Sequence, residues 1–107
     1  MNEVAGSAAQ TTRQLLALVE EDRRAIHGLR RASRSALRLH EIAARQIVFR
    51  IPEAARELSL SEVTVATTAG HLERLGIVLE VTQRSRNKLF AYTKYLAVLE
   101  EGTAVEG

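Results

Sequence analysis

The chain has no cysteine, no tryptophan and one proline, and its aromatic residues are two phenylalanines and two tyrosines. Without cysteine there is no disulfide framework, no thiolate nucleophile and no sulfur ligand for a metal. So few aromatic side chains argue against a platform that stacks the bases of a single-stranded nucleic acid. Apolar runs are only a handful of residues long, far short of the roughly 20 that cross a bilayer. The start, Met1-Asn2-Glu3-Val4-Ala5, has no basic segment followed by an apolar one, so no secretory signal is read there. The expectation is a cytoplasmic domain with no membrane partner.

What remains is a 107-residue chain that is 46% hydrophobic and 26% charged, enough apolar material for one small core. Leu, Ile, Val and Ala must build that core, a composition that favours helices. Formal charge is only +2, but residues 1–50 hold nine basic against five acidic residues, and residues 51–107 six against eight. A uniform polycation is excluded, whereas a local basic patch is not.

Catalytic constellations are missing. His27, His40 and His71 are never three or four residues apart, so no helical metal pair exists. His40-Glu41 begins a zinc-protease pattern, but Ala44 stands where the second histidine is needed; His40 reads as a half-buried packing residue. No two glycines are spaced for a phosphate loop, and Glu20, Glu21 and Asp22 point different ways around a helix. No enzyme site and no cofactor are expected.

Periodicity supplies the architecture. Met1 to Gly6 reads as a loose leader. From about Ser7 to Arg31, the apolar residues Leu15, Leu18, Val19, Ile26 and Leu29 recur at helical steps, with the charged stretch Glu20 to Arg24 read as solvated. Ser33 and Ser35 are candidate caps for a second helix over about Arg34 to Arg45. Ile47 to Ile51 is β-branched or aromatic and reads as a strand. Pro52 then opens a short helix to Leu58. Ser61 can cap a helix from Glu62 to Leu75, which Gly76 ends. Ile77 to Thr82 alternates like a strand, with either set of side chains inward. Gln83 to Asn87 is a turn, Leu89 to Tyr92 the return strand, and Thr93 starts a last helix that Gly102 ends.

This order predicts a mainly α protein with a small β-hairpin (α+β), a winged helix-turn-helix preceded by a long N-terminal helix. Its parts are a disordered leader (1–6), the long helix (7–33), the winged domain (34–101) and a flexible tail (102–107). Ala54 and Ala55 provide the small positions of the helix-turn-helix, Leu58 and Leu60 flank its turn, and Ser59 stands where glycine is common. Val65, Leu72 and Leu75 line the buried side of the second helix. An ordinary helical hairpin followed by a β-hairpin is the plain alternative; the agreement of motif spacing with the hairpin favours the winged form.

Duplex DNA is the first candidate partner. In the second helix, Ser61, Thr64, Thr67, Thr68 and His71 are the candidate contacts, and Glu62 opposes phosphate at its start. Base reading usually needs Arg, Lys, Asn or Gln, and His71 and Arg74 lie late in the helix. The turn is richer: Arg84, Arg86 and Lys88 alternate with Ser85 and Asn87, so an extended segment projects three cations to one side. A solvated charged turn is the plain alternative. Arg30, Arg31, Arg34 and Arg38 share part of a helical face that reads as solvated, with phosphate contact as the alternative. The long first helix exceeds what a small core needs, which points to a second copy or another domain against it.

Several stretches together resemble the C-terminal winged-helix region of bacterial Fic family proteins. They are Thr12-Arg13-Gln14-Leu15-Leu16-Ala17-Leu18, Ser35-Ala36-Leu37-Arg38-Leu39, Ile51-Pro52-Glu53-Ala54-Ala55, Leu72-Glu73-Arg74-Leu75-Gly76-Ile77, Arg84-Ser85-Arg86-Asn87-Lys88-Leu89-Phe90-Ala91-Tyr92 and Tyr95-Leu96-Ala97-Val98-Leu99. The resemblance implies a helical catalytic domain upstream in full-length relatives, transferring AMP from ATP to a protein hydroxyl. It also makes such a domain, or its target, a candidate partner for the first helix. The His-Pro-Phe and Gly-Asn-Gly-Arg motifs of that chemistry do not occur here, so no catalytic residue carries over. The chain also departs from the pattern at Val63, where proline is expected, and at Ala66 and Thr67, where polar or basic residues are expected.

Overall fold

The computed structural model describes residues 3–83, 85 and 87–104. Five helices and three short strands follow one another: α1 (Glu3–His27), a 3-10 turn (Arg30–Ala32), α2 (Ser33–Gln46), β1 (Val48–Arg50), α3 (Ile51–Leu58), α4 (Glu62–Arg74), β2 (Leu79–Glu80), β3 (Leu89–Ala91) and α5 (Thr93–Ala104). The strands form one antiparallel sheet in the order β1-β3-β2. The chain is thus mainly helical with a small hairpin-based sheet, in the element order expected of a winged helix-turn-helix.

Local chemistry explains the joints. Pro52 sits in the first turn of α3, where its missing N–H costs nothing. Helices α3 and α4 end alike. After α3, the N–H of Ser59 bonds the carbonyl of Arg56 and the N–H of Leu60 reaches Ala55; after α4, Gly76 bonds Glu73 and Ile77 reaches Leu72. Both are Schellman turns, with Ser59 at φ 58° and Gly76 at φ 78° in the left-handed region. Serine pays a Cβ penalty there that glycine does not. The guanidinium of Arg38 donates to the Leu58 carbonyl at 3.0 Å and so holds the end of α3 to α2.

One core joins all of this. Ala36, Leu39 and Ala43 of α2, Val65, Ala69 and Leu72 of α4, and Ile77 are fully buried, as is Ile26 of α1. Phe49 and Phe90 are cross-strand partners and stack at 5.4 Å on the core side of the sheet. The other side of the sheet is apolar too. Leu79 is paired with Ala91 across the register, and Val48 with the same alanine, yet Leu79 is 51% and Val48 41% exposed.

A buried polar cluster ties α1 to the rest. The Tyr92 hydroxyl donates to Asp22 Oδ2 at 2.6 Å, and its single proton being spent, it accepts from His40 Nε2 at 2.9 Å. Lys94 donates to the other Asp22 oxygen at 3.2 Å. Asp22, His40 and Tyr92 are all at most 3% exposed. Burial pushes the His40 pKa down, partly opposed by the Asp22 charge. Burial and the bond to Asp22 push the Tyr92 pKa up, so both side chains are held neutral. Sealed from solvent, the three cannot meet a substrate.

Several sequence expectations change here. Within Glu20 to Arg24, Asp22 is buried instead of solvated, while its four neighbours are exposed. His40 is fully rather than half buried. The second half of α1 is part of the core instead of a separate segment preceding it. Neither Ser33 nor Ser35 caps α2: its N-cap is Ala32 without a side-chain bond, because the 3-10 turn delivers the backbone already coiled. Helix α1 begins at Glu3 within the expected leader and ends at His27, and α5 runs past Gly102 to Ala104. Glycine lowers helix propensity by about 1 kcal/mol without forbidding the conformation.

Candidate nucleic-acid interface

Helix α4 is anchored on one side by Val65, Ala69 and Leu72, packed against α2 and α3. Thr68 belongs to this buried row. It is 4% exposed, and its hydroxyl donates to the Thr64 carbonyl at 2.8 Å. As a groove contact Thr68 is therefore corrected: it reaches only the floor of the groove between α4 and the start of α2, nearly all of its surface covered and its proton committed to the helix.

Ser61 caps α4 as its sequence suggests. Its Oγ accepts from the Thr64 N–H at 3.1 Å and donates to the Thr64 hydroxyl at 2.9 Å, with both residues exposed. Thr67 is exposed one turn further on. His71 is half-buried, and its Nδ1 accepts from the Arg74 guanidinium at 2.9 Å. Because arginine only donates, this places the ring proton on Nε2.

The free face of α4 carries Glu62, Val63, Ala66 and Thr67, all exposed, with Val63 at 77%. No other element of the described chain covers it. Two grooves border it. One, of about 440 Å³, is enclosed by Ile51 and Pro52 at the start of α3, by Val63 and Ala66, and by Asn87 and Lys88 of the hairpin loop. The other, of about 260 Å³, lies between α4 and the start of α2, lined by Ala32, Ser35, Thr64, Thr67 and His71. Val63 lines both and forms the crest between them.

The hairpin is tied to α4 where the Glu80 N–H donates to the Glu73 carboxylate at 3.3 Å, and to β1 and itself by further bonds. Arg50 Nη1 donates to the Asn87 carbonyl at 2.6 Å, and the Leu89 N–H bonds the Thr82 hydroxyl at 3.2 Å. Thr82 in turn donates to Glu80. Gln83 and Asn87 take left-handed backbone conformations, at φ 55° and 52°, that reverse the chain. Asn87 and Lys88 are exposed at this loop. Arg84 and Arg86 lie outside the described residues.

The basic residues of the first half divide by partner. Arg38 is engaged by the Leu58 carbonyl and Arg45 by Glu57. Arg31 and Arg34 are exposed next to Ala32 and Ser35, the residues that line the second groove. In the sequence their face reads first as solvated and second as a phosphate contact, with no groove assigned to it. Their one signal was position: they adjoin the start of the helix that α4 crosses. Among the described residues no cluster of His, Asp or Glu could hold a metal, and no helix is long and apolar enough to cross a membrane. No family model, no curated protein and no solved structure matches the chain.

Proposed function

We propose that this chain is a noncatalytic winged-helix module that binds duplex DNA, mainly through phosphates, in a transcription-regulatory role in the cytoplasm. The observation that carries the reading is the free face of α4, bordered by the hairpin loop with Lys88 on one side and by the start of α2 with Arg31 and Arg34 on the other. A helix presented between two cationic margins has the form of a groove-inserted element with phosphates on its flanks. Val63, Ala66 and Thr67 are small enough to let the helix backbone approach the groove floor, and their methyl groups suit thymine methyls better than hydrogen-bonding base edges. Affinity then rests on phosphates and sequence preference is modest. The resemblance to Fic family proteins, carried by the stretches quoted above, supports the same reading and makes the chain the C-terminal part of a Fic-like protein.

The test is fluorescence anisotropy of a labelled mixed-sequence duplex at about 50 and about 200 mM salt. For three loop phosphate contacts the affinity falls roughly 40-fold between these conditions. Combined substitution Arg84→Ala, Arg86→Ala and Lys88→Ala removes most of the binding and most of the salt dependence. No binding by the unsubstituted protein at the lower salt overturns the proposal. It would favour a second reading, a protein-docking module, for which the apolar lining of the larger groove by Ile51, Pro52, Val63 and Ala66 is the specific observation.

A further inference from the structure

We infer that the solvent side of α1 is a self-association surface, occupied by the same helix of a second copy running antiparallel to it. The inference rests on α1 alone and is independent of the nucleic-acid reading.

The core side of α1 is the row Leu15, Leu18, Asp22 and Ile26, which packs on α2 and α5. Away from it, at alternating steps of four and three residues, lies a second row, Ala9, Arg13, Leu16, Glu20 and Arg23, every member of which is exposed. Leu16 is 66% exposed in the middle of this otherwise charged and small-residue row. Arg13 and Glu20 have no ion-pair or hydrogen-bond partner among the described residues. One large apolar side chain is thus framed by two opposite, uncommitted charges.

That pattern is self-complementary in one orientation only. Arg13 precedes Leu16 by three residues, about 4.5 Å along the axis, and Glu20 follows it by four, about 6 Å. A two-fold axis through Leu16 lays Leu16 on its counterpart and sets Arg13 of each copy across from Glu20 of the other, twice over. A parallel pairing sets Arg13 against Arg13 and Glu20 against Glu20. Charge therefore selects the closed, isologous dimer and rejects the parallel one.

Size sets the strength. Residues 9–24 of α1 offer a contact about 24 Å long, and one helix pair of that length covers less than the roughly 800 Å² per partner of a standard stable interface. The dimer is accordingly weak and reversible.

Sedimentation equilibrium of the full chain, over about 10 to about 500 µM at low salt, tests this. The expected result is a reversible monomer–dimer equilibrium that Leu16→Glu abolishes. Arg13→Glu and Glu20→Arg, taken singly, each weaken dimerisation about tenfold, and together they restore it to within about threefold. Circular dichroism melts of these exposed-site variants stay at the unsubstituted value, and Leu16→Gln replaces Leu16→Glu should that variant fail to fold. A monomer at every concentration overturns the inference. So does a Leu16 variant that still dimerises, or a double charge swap that associates no better than the single ones.

Discussion

Polar side chains do opposite things at the two ends of this molecule. Where α1 meets α5, Asp22, Tyr92 and His40 are sealed in the core and bonded to one another. On the free face of α4, by contrast, Glu62, Thr64 and Thr67 stand exposed, and no other element of the described chain covers them. The first arrangement commits its groups to the fold. The second leaves groups available to something outside it. Buried polar groups are stabilising only while every partner is present, whereas exposed ones can be removed at little cost to folding.

The sharpest way to break this contrast is Tyr92→Phe. The ring remains, but buried Asp22 keeps only the half-exposed Lys94 and buried His40 Nε2 loses its partner. The expected loss is about 2–4 kcal/mol in urea unfolding, against less than about 0.5 kcal/mol for Lys88→Ala at the exposed loop. Equal effects would show that the buried cluster is not the anchor of α1.

Acid provides a gentler break. The folded state holds His40 below its usual pKa of 6.5, so the unfolded chain binds the proton more readily. The stabilisation from neutral His40 is complete above pH 6.5 and is lost as the pH falls toward its folded-state value. The slope is at most about 1.4 kcal/mol per pH unit. Urea midpoints between pH 7.5 and 5.5 should therefore fall, and His40→Leu should flatten the change. An unchanged slope in that variant would assign the acid sensitivity elsewhere.

The smallest effect sharpens a comparison between two turns of one geometry. Ser59 and Gly76 occupy the same place in two Schellman turns, and only the glycine is free of Cβ strain. Ser59→Gly should raise stability by about 0.5–1 kcal/mol in thermal unfolding. A loss of stability would mean that the serine side chain contributes more than its backbone strain costs.

The legible parts of the fold were those whose cause is local. Ser61 as a cap, Pro52 in a first turn and Gly76 as a helix stop depend on a few neighbouring residues, and the element order follows from them. The Asp22–Tyr92–His40 cluster joins residues 52 and 70 positions apart, which no short-range spacing reveals. A partial signal was present: Asp22 falls four residues from both Leu18 and Ile26 and so lies in the core-facing row. Thr68 carried the same signal, at helical steps from Val65 and Leu72. Reading residue chemistry before position made one a solvated acid and the other a groove contact. The alternation expected over Ile77 to Thr82 does not hold: only Leu79–Glu80 is strand, and Ile77 and Val78 are both buried before it begins while Leu79 and Val81 turn to solvent. At the candidate interface the exposed positions of Ser61, Thr64, Thr67 and Lys88 were readable, but the second groove was not, since it exists only once α4 lies across the start of α2.

On the proposed function, the free face of α4 and its two margins meet DNA while the α1–α5 end serves the fold. The most direct test is an amide NMR titration of the labelled protein with a short duplex at low salt. The expected result is concentration-dependent shifts at Thr64, Thr67, Asn87, Lys88 and Arg34, with the amides of Asp22, His40 and Tyr92 unmoved. Shifts centred on α1 or on the outer face of the sheet, or no shifts at all, would contradict it.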